Sequence, residues 1–340
     1  MRRIMNIDSR NLLFIGNGFD LALKLKTAYK DFVNSAYWPL NNKSLPSHSD
    51  GSLEWEILSF TQRVKDRETG LVRWIDLEGI MYDYALRLKN TNSPSASNDS
   101  SEISIRNKTL LNQLKCSFSQ YLRTNIKVLV DPNMKGVNEG LRSLIDAIFK
   151  MDISTKVYSF NYTDTASILA NIFNWSNPNV THIHGMVTDN ASNIVLGVND
   201  RTVVDKNHRF LLKSHQEGFV STDLFDHLEK AQTLIFYGLS FGANDMDYFK
   251  DYFKSLIDKS SQRNYRVNIC IFTWDQESVA SIKSFFEDAD VSVRDLFLKT
   301  NLYFYKVSGF GDSGDGDAEL KAFLKFTQEN TPFHFCGGIM

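Results

Sequence analysis

Leu12-Leu13-Phe14-Ile15-Gly16-Asn17-Gly18-Phe19-Asp20-Leu21-Ala22 is the stretch whose reading decides the fold. A short apolar run ends in a glycine-bracketed turn, after which the apolar spacing shifts toward a helical period. A strand passes into a helix in this way in nucleotide-binding α/β domains. There, glycines let the backbone approach a phosphate, and the first N–H groups of the helix attract the anion. The dinucleotide fingerprint G-x-G-x-x-G is met only in part: Gly16 and Gly18 fill its first two places and Leu21 stands at the third. The acidic ribose residue should end a second strand roughly 20 residues later. That interval reads Lys26-Thr27-Ala28-Tyr29-Lys30-Asp31-Phe32, a helical pattern. A standard hydride-transfer domain is therefore disfavoured. A turn whose glycines serve only close packing remains open beside a ligand site.

The totals set bounds. A chain of 340 residues holds one large domain, or a core domain with an insertion. With 42% hydrophobic and 23% charged residues it reads as globular. A net charge of −2 gives no reason to expect general nucleic-acid binding, which needs a strongly basic surface. Cys116, Cys270 and Cys336 are widely spaced and contain no CxxC pair, which points to reduced thiols rather than a disulfide framework or a zinc site. Arg2 and Arg3 mimic the start of a signal peptide, but the apolar run behind them breaks at Gly16-Asn17. No stretch approaches the ~20 apolar residues of a membrane span. The expected compartment is the cytoplasm.

From residue 23 to about 150 the pattern is mainly helical. Thr27 is read as capping a helix that carries Tyr29 and Phe32, and residues 39–51 as a loop. Trp74, Leu77, Met81, Tyr84 and Leu88 form one apolar stripe, and residues 90–104 a low-complexity loop. Leu110, Leu114, Phe118 and Leu122 mark another helix, and Leu141, Leu144, Ile145 and Ile148 one more. Strands then follow at 156–160, 180–184, 194–196, 233–237, 267–273 and 302–307, with helices between several of them, and a short helix closes the chain at 318–328. Such alternation predicts a largely parallel sheet. The expected architecture is a Rossmann-like α/β domain (1–22 and 151–330) interrupted by a helical insertion (23–150) that covers the site, with a tail at 331–340.

Open parallel sheets bind ligands beyond the carboxyl ends of their strands, and polar residues cluster there. The first strand delivers Asn17 and Asp20. The others deliver Asn161-Tyr162-Thr163-Asp164, His182-Ile183-His184-Gly185, Gly197-Val198-Asn199-Asp200, and the run from Gly238 through Ser240 to Asn244-Asp245-Met246-Asp247. Thr163 or Asp164, and Asn244 or Asp245, are also natural caps for the helices that follow. His182 and His184, two apart, share one strand face and are equally readable as structural or functional. Asn161 has no cap role and leans toward function. From the insertion, Glu78 either stays at the surface or reaches into the crevice, and Asp76 leans to the surface.

Taken in order, GNGFD (16–20), TAYKDF (27–32), WIDLE (74–78), FNYTDT (160–165), HIHG (182–185), LGVND (196–200) and GLSFGANDMDYF (238–249) resemble the bacterial abortive-infection AbiH family. The resemblance spans residues 12 to about 250 and implies a role in stopping phage propagation. More distantly, the order of motifs is similar to sirtuin-like NAD-consuming domains. That likeness implies Gly16 and Gly18 at the diphosphate, Asn161 as the strand-end asparagine, His184 as the histidine before glycine, and Gly238 with Ser240 as the late turn. Asp20 departs from the serine-containing turn of sirtuin deacylases, and the four-cysteine zinc module is missing, so protein deacylation is not implied.

The activity expected on this basis is NAD glycohydrolysis, with NAD as substrate and no metal. Asn161 would orient water or ribose, and neutral His184 would act as base. Backbone donors from Gly16 through Asn17 and Gly18 to Phe19 would hold the diphosphate. Asp20, Asp200 and Glu78 would serve ribose contacts or charge stabilisation, while Tyr162, Thr163, His182 and Asp245 complete the expected binding set. A phage-derived trigger and self-association are the expected partners. Two rivals stay open: a nucleotide-binding sensor without turnover, and a metal-dependent phosphohydrolase or nuclease using His182, His184, Asp200, Asp245 and Asp247.

Overall fold

The computed structural model describes residues 10–66, 76–90, 99–126, 138–152, 154–188, 193–259, 265–307 and 315–330. In chain order the strands are β1 (Asn11–Ile15), β2 (Lys156–Ser159), β3 (Asn179–His182), β4 (Thr233–Tyr237), β5 (Asn268–Thr273) and β6 (Asn301–Lys306). The helices are α1 (Asn17–Ala22), α2 (Tyr29–Val33), α3 (Leu53–Asp66), α4 (Leu77–Asn90), α5 (Asp99–Ile126), α6 (Glu139–Met151), α7 (Thr165–Phe173), α8 (Leu224–Lys230), α9 (Ala243–Met246), α10 (Lys250–Asp258), α11 (Gln276–Asp288), α12 (Val293–Lys299) and α13 (Asp315–Asn330). Two 3₁₀ segments, Lys206–Leu211 and Lys213–His215, lie between β3 and α8.

The six strands form one sheet in the order β3-β2-β1-β4-β5-β6, and every adjacent pair is parallel. This is the expected Rossmann-like architecture. Its strands are near-continuous apolar runs because helices cover both faces. Successive side chains alternate between those faces. Leu12 and Phe14 of β1 join Leu234 and Phe236 of β4 under α8, α10, α11 and α12. Leu13 and Ile15 join Ile235 and Tyr237 under α1, α6, α7 and α13.

A third cluster contains Phe32, Leu53, Ile57, Leu77, Met81, Leu114 and Phe118 of α2 to α5. The helical insertion therefore has its own apolar centre. α6, grouped with the insertion by its position in the chain, packs through Leu141, Leu144, Ile145 and Ile148 onto the sheet instead.

Several local expectations change. Residues 194–196 are not a sheet strand: Ile194 makes only an isolated antiparallel bridge to Gly185, and Ile194 and Leu196 pack into the insertion cluster. A buried apolar triplet carries no period that separates the two outcomes. Residues 99–104, read as loop, belong to α5, and the closing helix α13 is longer than expected. Thr27 is not a cap, because Ala28 occupies that position at α2 and makes no side-chain bond there. Trp74 and residues 91–98 and 331–340 lie outside the described residues.

Candidate functional site

The strand order reverses direction at β1, whose neighbours are β2 and β4. Ligands of open α/β sheets bind at such a switch point, beyond the carboxyl ends of the strands. The turn after β1 meets the turn after β4 there. A Cβ on Gly18 would lie 2.6 Å from Gly238 Cα, and one on Gly16 would lie 2.6 Å from Gly238 O. Gly238 has φ +65°, a conformation that favours glycine. Gly16 N–H donates to Tyr237 O, Gly18 N–H to Gly238 O, and Phe19 N–H to Gly16 O. These three amides are engaged within the protein, so the glycines serve close packing of two loops. The expectation that they hold a diphosphate is left with the Asn17 amide and the shape of the turn. Phe19 is fully buried against Phe173 and Tyr237, inside the core.

Beside this contact lies a cavity of about 120 Å³. Gly16, Asn17, Asp20, Glu78, Asn161, Tyr162, Thr163, His184, Gly238, Ser240 and Asp245 all line it, as do Thr27, Tyr29, Asp76, Phe118, Phe160 and Asn244. Residues from the ends of β1, β2, β3 and β4 thus converge, and the insertion closes over them. Asp20, 1% exposed, is the hub of the first polar group. Asn161 Nδ2 donates to its Oδ1 at 2.9 Å, and Thr163 Oγ1 approaches both oxygens at 3.1 and 3.0 Å. Burial raises the Asp20 carboxyl to about 7, and these hydrogen bonds offset only part of that rise. Thr27 Oγ1 donates to Asn17 Oδ1 at 2.6 Å, which fixes the asparagine in the turn.

The second polar group joins three distant segments. Lys213, 1% exposed, donates through Nζ to Glu78 Oε2 at 3.1 Å and contacts His184 Nε2 at 2.9 Å. An ammonium has no acceptor, so His184 Nε2 must be the acceptor and its proton sits on Nδ1. Burial and the Lys213 charge hold His184 well below its ordinary value, and the ring is neutral. Burial pushes the Glu78 carboxyl up, with Lys213 pulling it partly back. Burial works against the Lys213 charge, yet Glu78, Tyr248 and Asp245 together keep its value raised. Half-buried Asp245 is raised by burial to about 7.

Asp164 is the true cap of α7, accepting from Ser167 N–H at 2.9 Å, which frees Thr163 for Asp20. Neither Asn244 nor Asp245 caps α9: both lie inside it, and Gly242 holds the cap position. Asp76 Oδ1 accepts from Gly79 N–H at the start of α4. His182 and Asp200 do not line the cavity. His182 Nδ1 lies 3.2 Å from the Asn161 carbonyl, behind the site, and Asp200 accepts from Ser214 N–H at an exposed position. Asp247 pairs with Lys250. Among the described residues no three His, Cys, Asp or Glu side chains gather as metal ligands. The metal-dependent alternative therefore finds no such set.

Lys213 was not legible as a functional residue. It sits in Phe210-Leu211-Leu212-Lys213-Ser214, where nothing local signals burial, and its partner Glu78 lies 135 positions earlier.

A parallel sheet covered on both faces, with a buried polar cavity at its switch point, defines a Rossmann-like α/β protein. The chain belongs to the bacteriophage abortive infection AbiH family, whose family model matches residues 12–269 and so includes every residue of this cavity. Its role is accordingly in phage defence by abortive infection. No curated protein matches the chain. Among the described residues no helix is long and apolar enough to cross a membrane.

Proposed function

We propose that this phage-defence protein is an NAD glycohydrolase that cleaves the nicotinamide–ribose bond. The observation that carries the reading is the meeting of Asp20, Asn161 and His184, from three strand ends, on one buried cavity at the switch point. A cavity of about 150 Å³ holds a single benzene ring. At 120 Å³ the cavity here is smaller than that, so it takes only the groups around the reacting bond and must widen to admit the nicotinamide ring, with the rest of the dinucleotide outside it.

In this mechanism nicotinamide leaves with the electron pair of its C–N bond, which neutralises the ring nitrogen, so little acid assistance is needed. The ribose passes through an oxocarbenium-like state, as in glycoside cleavage. The carboxylates of Asp20, Glu78 and Asp245 favour that positive charge in a poorly hydrated site. Asn161, whose Nδ2 is held by Asp20, keeps Oδ1 to accept from a ribose hydroxyl or the attacking water. His184, with Nε2 on Lys213, orients the ribose as an Nδ1–H donor. It acts as base only if Lys213 lets go. Water adds to C1′, and its proton passes to Asp245, whose value of about 7 suits a base at neutral pH.

The test is nicotinamide release from NAD by wild type, Asn161→Ala and His184→Ala. Release by wild type, reduced at least 100-fold in both variants, supports the reading. Unchanged release in both variants would remove this cavity as the reaction site. Saturable binding without release would support a sensor.

A further inference from the structure

A second, larger cavity of about 570 Å³ adjoins the first, over the carboxyl ends of β4 and β5 and against α11. The two share Asp76, Gly238, Leu239, Ser240 and Gly242 as a common wall. The outer space falls within the range of small-molecule sites, roughly 300–1,000 Å³. Its floor is apolar, with Leu21, Phe272, Ile282 and Phe285, and Trp274 stands at its side with 59% of its surface exposed. A large aromatic ring left in solvent beside an apolar cavity is a stacking surface for a planar base.

The charge of the lining narrows the ligand further. The described lining contains Asp76, Asp275 and Glu277 and no lysine or arginine. Carboxylates accept hydrogen bonds from ribose hydroxyls and repel a phosphate placed on that ribose. Asp275 also caps α11 through Ser278 N–H at 2.9 Å, so its charge is fixed at that edge.

We infer that the outer cavity is a nucleoside subsite that takes an unphosphorylated adenosine, with the base on Trp274 and the ribose facing the acidic edge. The inference rests on the glycohydrolase reading for its identification of the ligand. It goes beyond that reading by assigning the adenosine half and by excluding the 2′-phosphorylated dinucleotide. The bridging diphosphate would cross the loop at Gly238–Gly242, which together with Asp76 makes up the wall common to both described cavities.

The experiment is calorimetric titration of the full chain with ADP-ribose and with its 2′-phosphate, in wild type, Trp274→Ala and Ser281→Trp. Cleavage of NAD is followed in parallel with that of nicotinamide mononucleotide, which lacks the adenosine half. Trp274 is exposed, so its truncation leaves the fold intact, and circular dichroism checks both variants. The expected results are ADP-ribose binding at least tenfold tighter than its 2′-phosphate, a tenfold or greater loss in Trp274→Ala, and a similar loss in Ser281→Trp. Equal affinity for the two ligands, or ADP-ribose binding unmoved by both substitutions, overturns the subsite. If NAD and the mononucleotide are cleaved with equal KM, the subsite falls while the glycohydrolase stands. If ADP-ribose binds through Trp274 and nothing is cleaved, the subsite stands and the glycohydrolase falls.

Discussion

Replacing Lys213 by Met removes the ammonium that joins Glu78 to His184, and its consequence can be worked through from the structure. Lys213 and Glu78 side chains are 2% and 10% exposed, so water cannot take over the lost contact. Breaking one side of a buried pair costs about 3–5 kcal/mol, because the remaining charge is left uncompensated. At ~2 °C per kcal/mol for a chain of this size, the melting temperature should fall by about 6–10 °C at pH 8. The loss must shrink in acid. Glu78 already has a raised value in the fold, and without Lys213 it rises further. A carboxyl raised on folding stabilises below its unfolded value and loses that contribution as pH rises through the folded value. The Lys213→Met deficit should therefore be small near pH 5, and Lys213→Met/Glu78→Gln should recover most of it at pH 8. Differential scanning fluorimetry across pH 5–8.5 measures this. A deficit independent of pH, or no recovery in the double variant, would refute the buried pair as the cause. The ¹⁵N shifts of His184 supply a second readout, since loss of Lys213 should release Nε2 and raise the imidazole's value.

Other consequences can be measured separately. Asp20 and Asp245, both raised to about 7, should make the protein more stable at pH 5.5 than at pH 8, and Asp20→Asn should flatten that dependence while abolishing turnover. Gly238→Ala places a Cβ 2.5 Å from Gly18 Cα at φ +65°; the left-handed backbone alone costs about 1–2 kcal/mol, so thermal unfolding should occur several degrees lower. Asn161→Ala should lower NAD turnover about 100-fold or more, the scale of losing an oriented polar group at a developing charge. Asp164→Ala, by contrast, should cost about 1 kcal/mol of stability through the lost α7 cap and leave nicotinamide release intact.

The parts of this molecule legible in its sequence are those governed by local pattern. The apolar run 12–15 before a glycine turn, and the runs at 233–237 and 268–273, are fully or nearly fully buried strands whose composition needs no tertiary information. Asn161 and Thr163 could be singled out because they stand directly at a strand end, where side chains face the crevice. The 194–196 triplet shows the limit: burial was readable, but not the layer that buries it. The glycine turn at 16–18 reads in sequence equally as a phosphate cradle or a close-packing turn, and what separates the two is Gly238, more than 200 residues away. Lys213 is hidden for the same reason, since its burial depends on a charge carried by the insertion. His182 and His184 look equivalent in sequence, yet the chain leaves the strand between them and sends only His184 into the cavity.

Proton NMR of NAD incubated with the purified chain tests the central claim most directly. The account predicts that the nicotinamide ring signals move to those of free nicotinamide while an equal amount of ADP-ribose appears, and that Asn161→Ala all but stops both. NAD left uncleaved at stoichiometric protein, with or without saturable broadening of its signals, would contradict it.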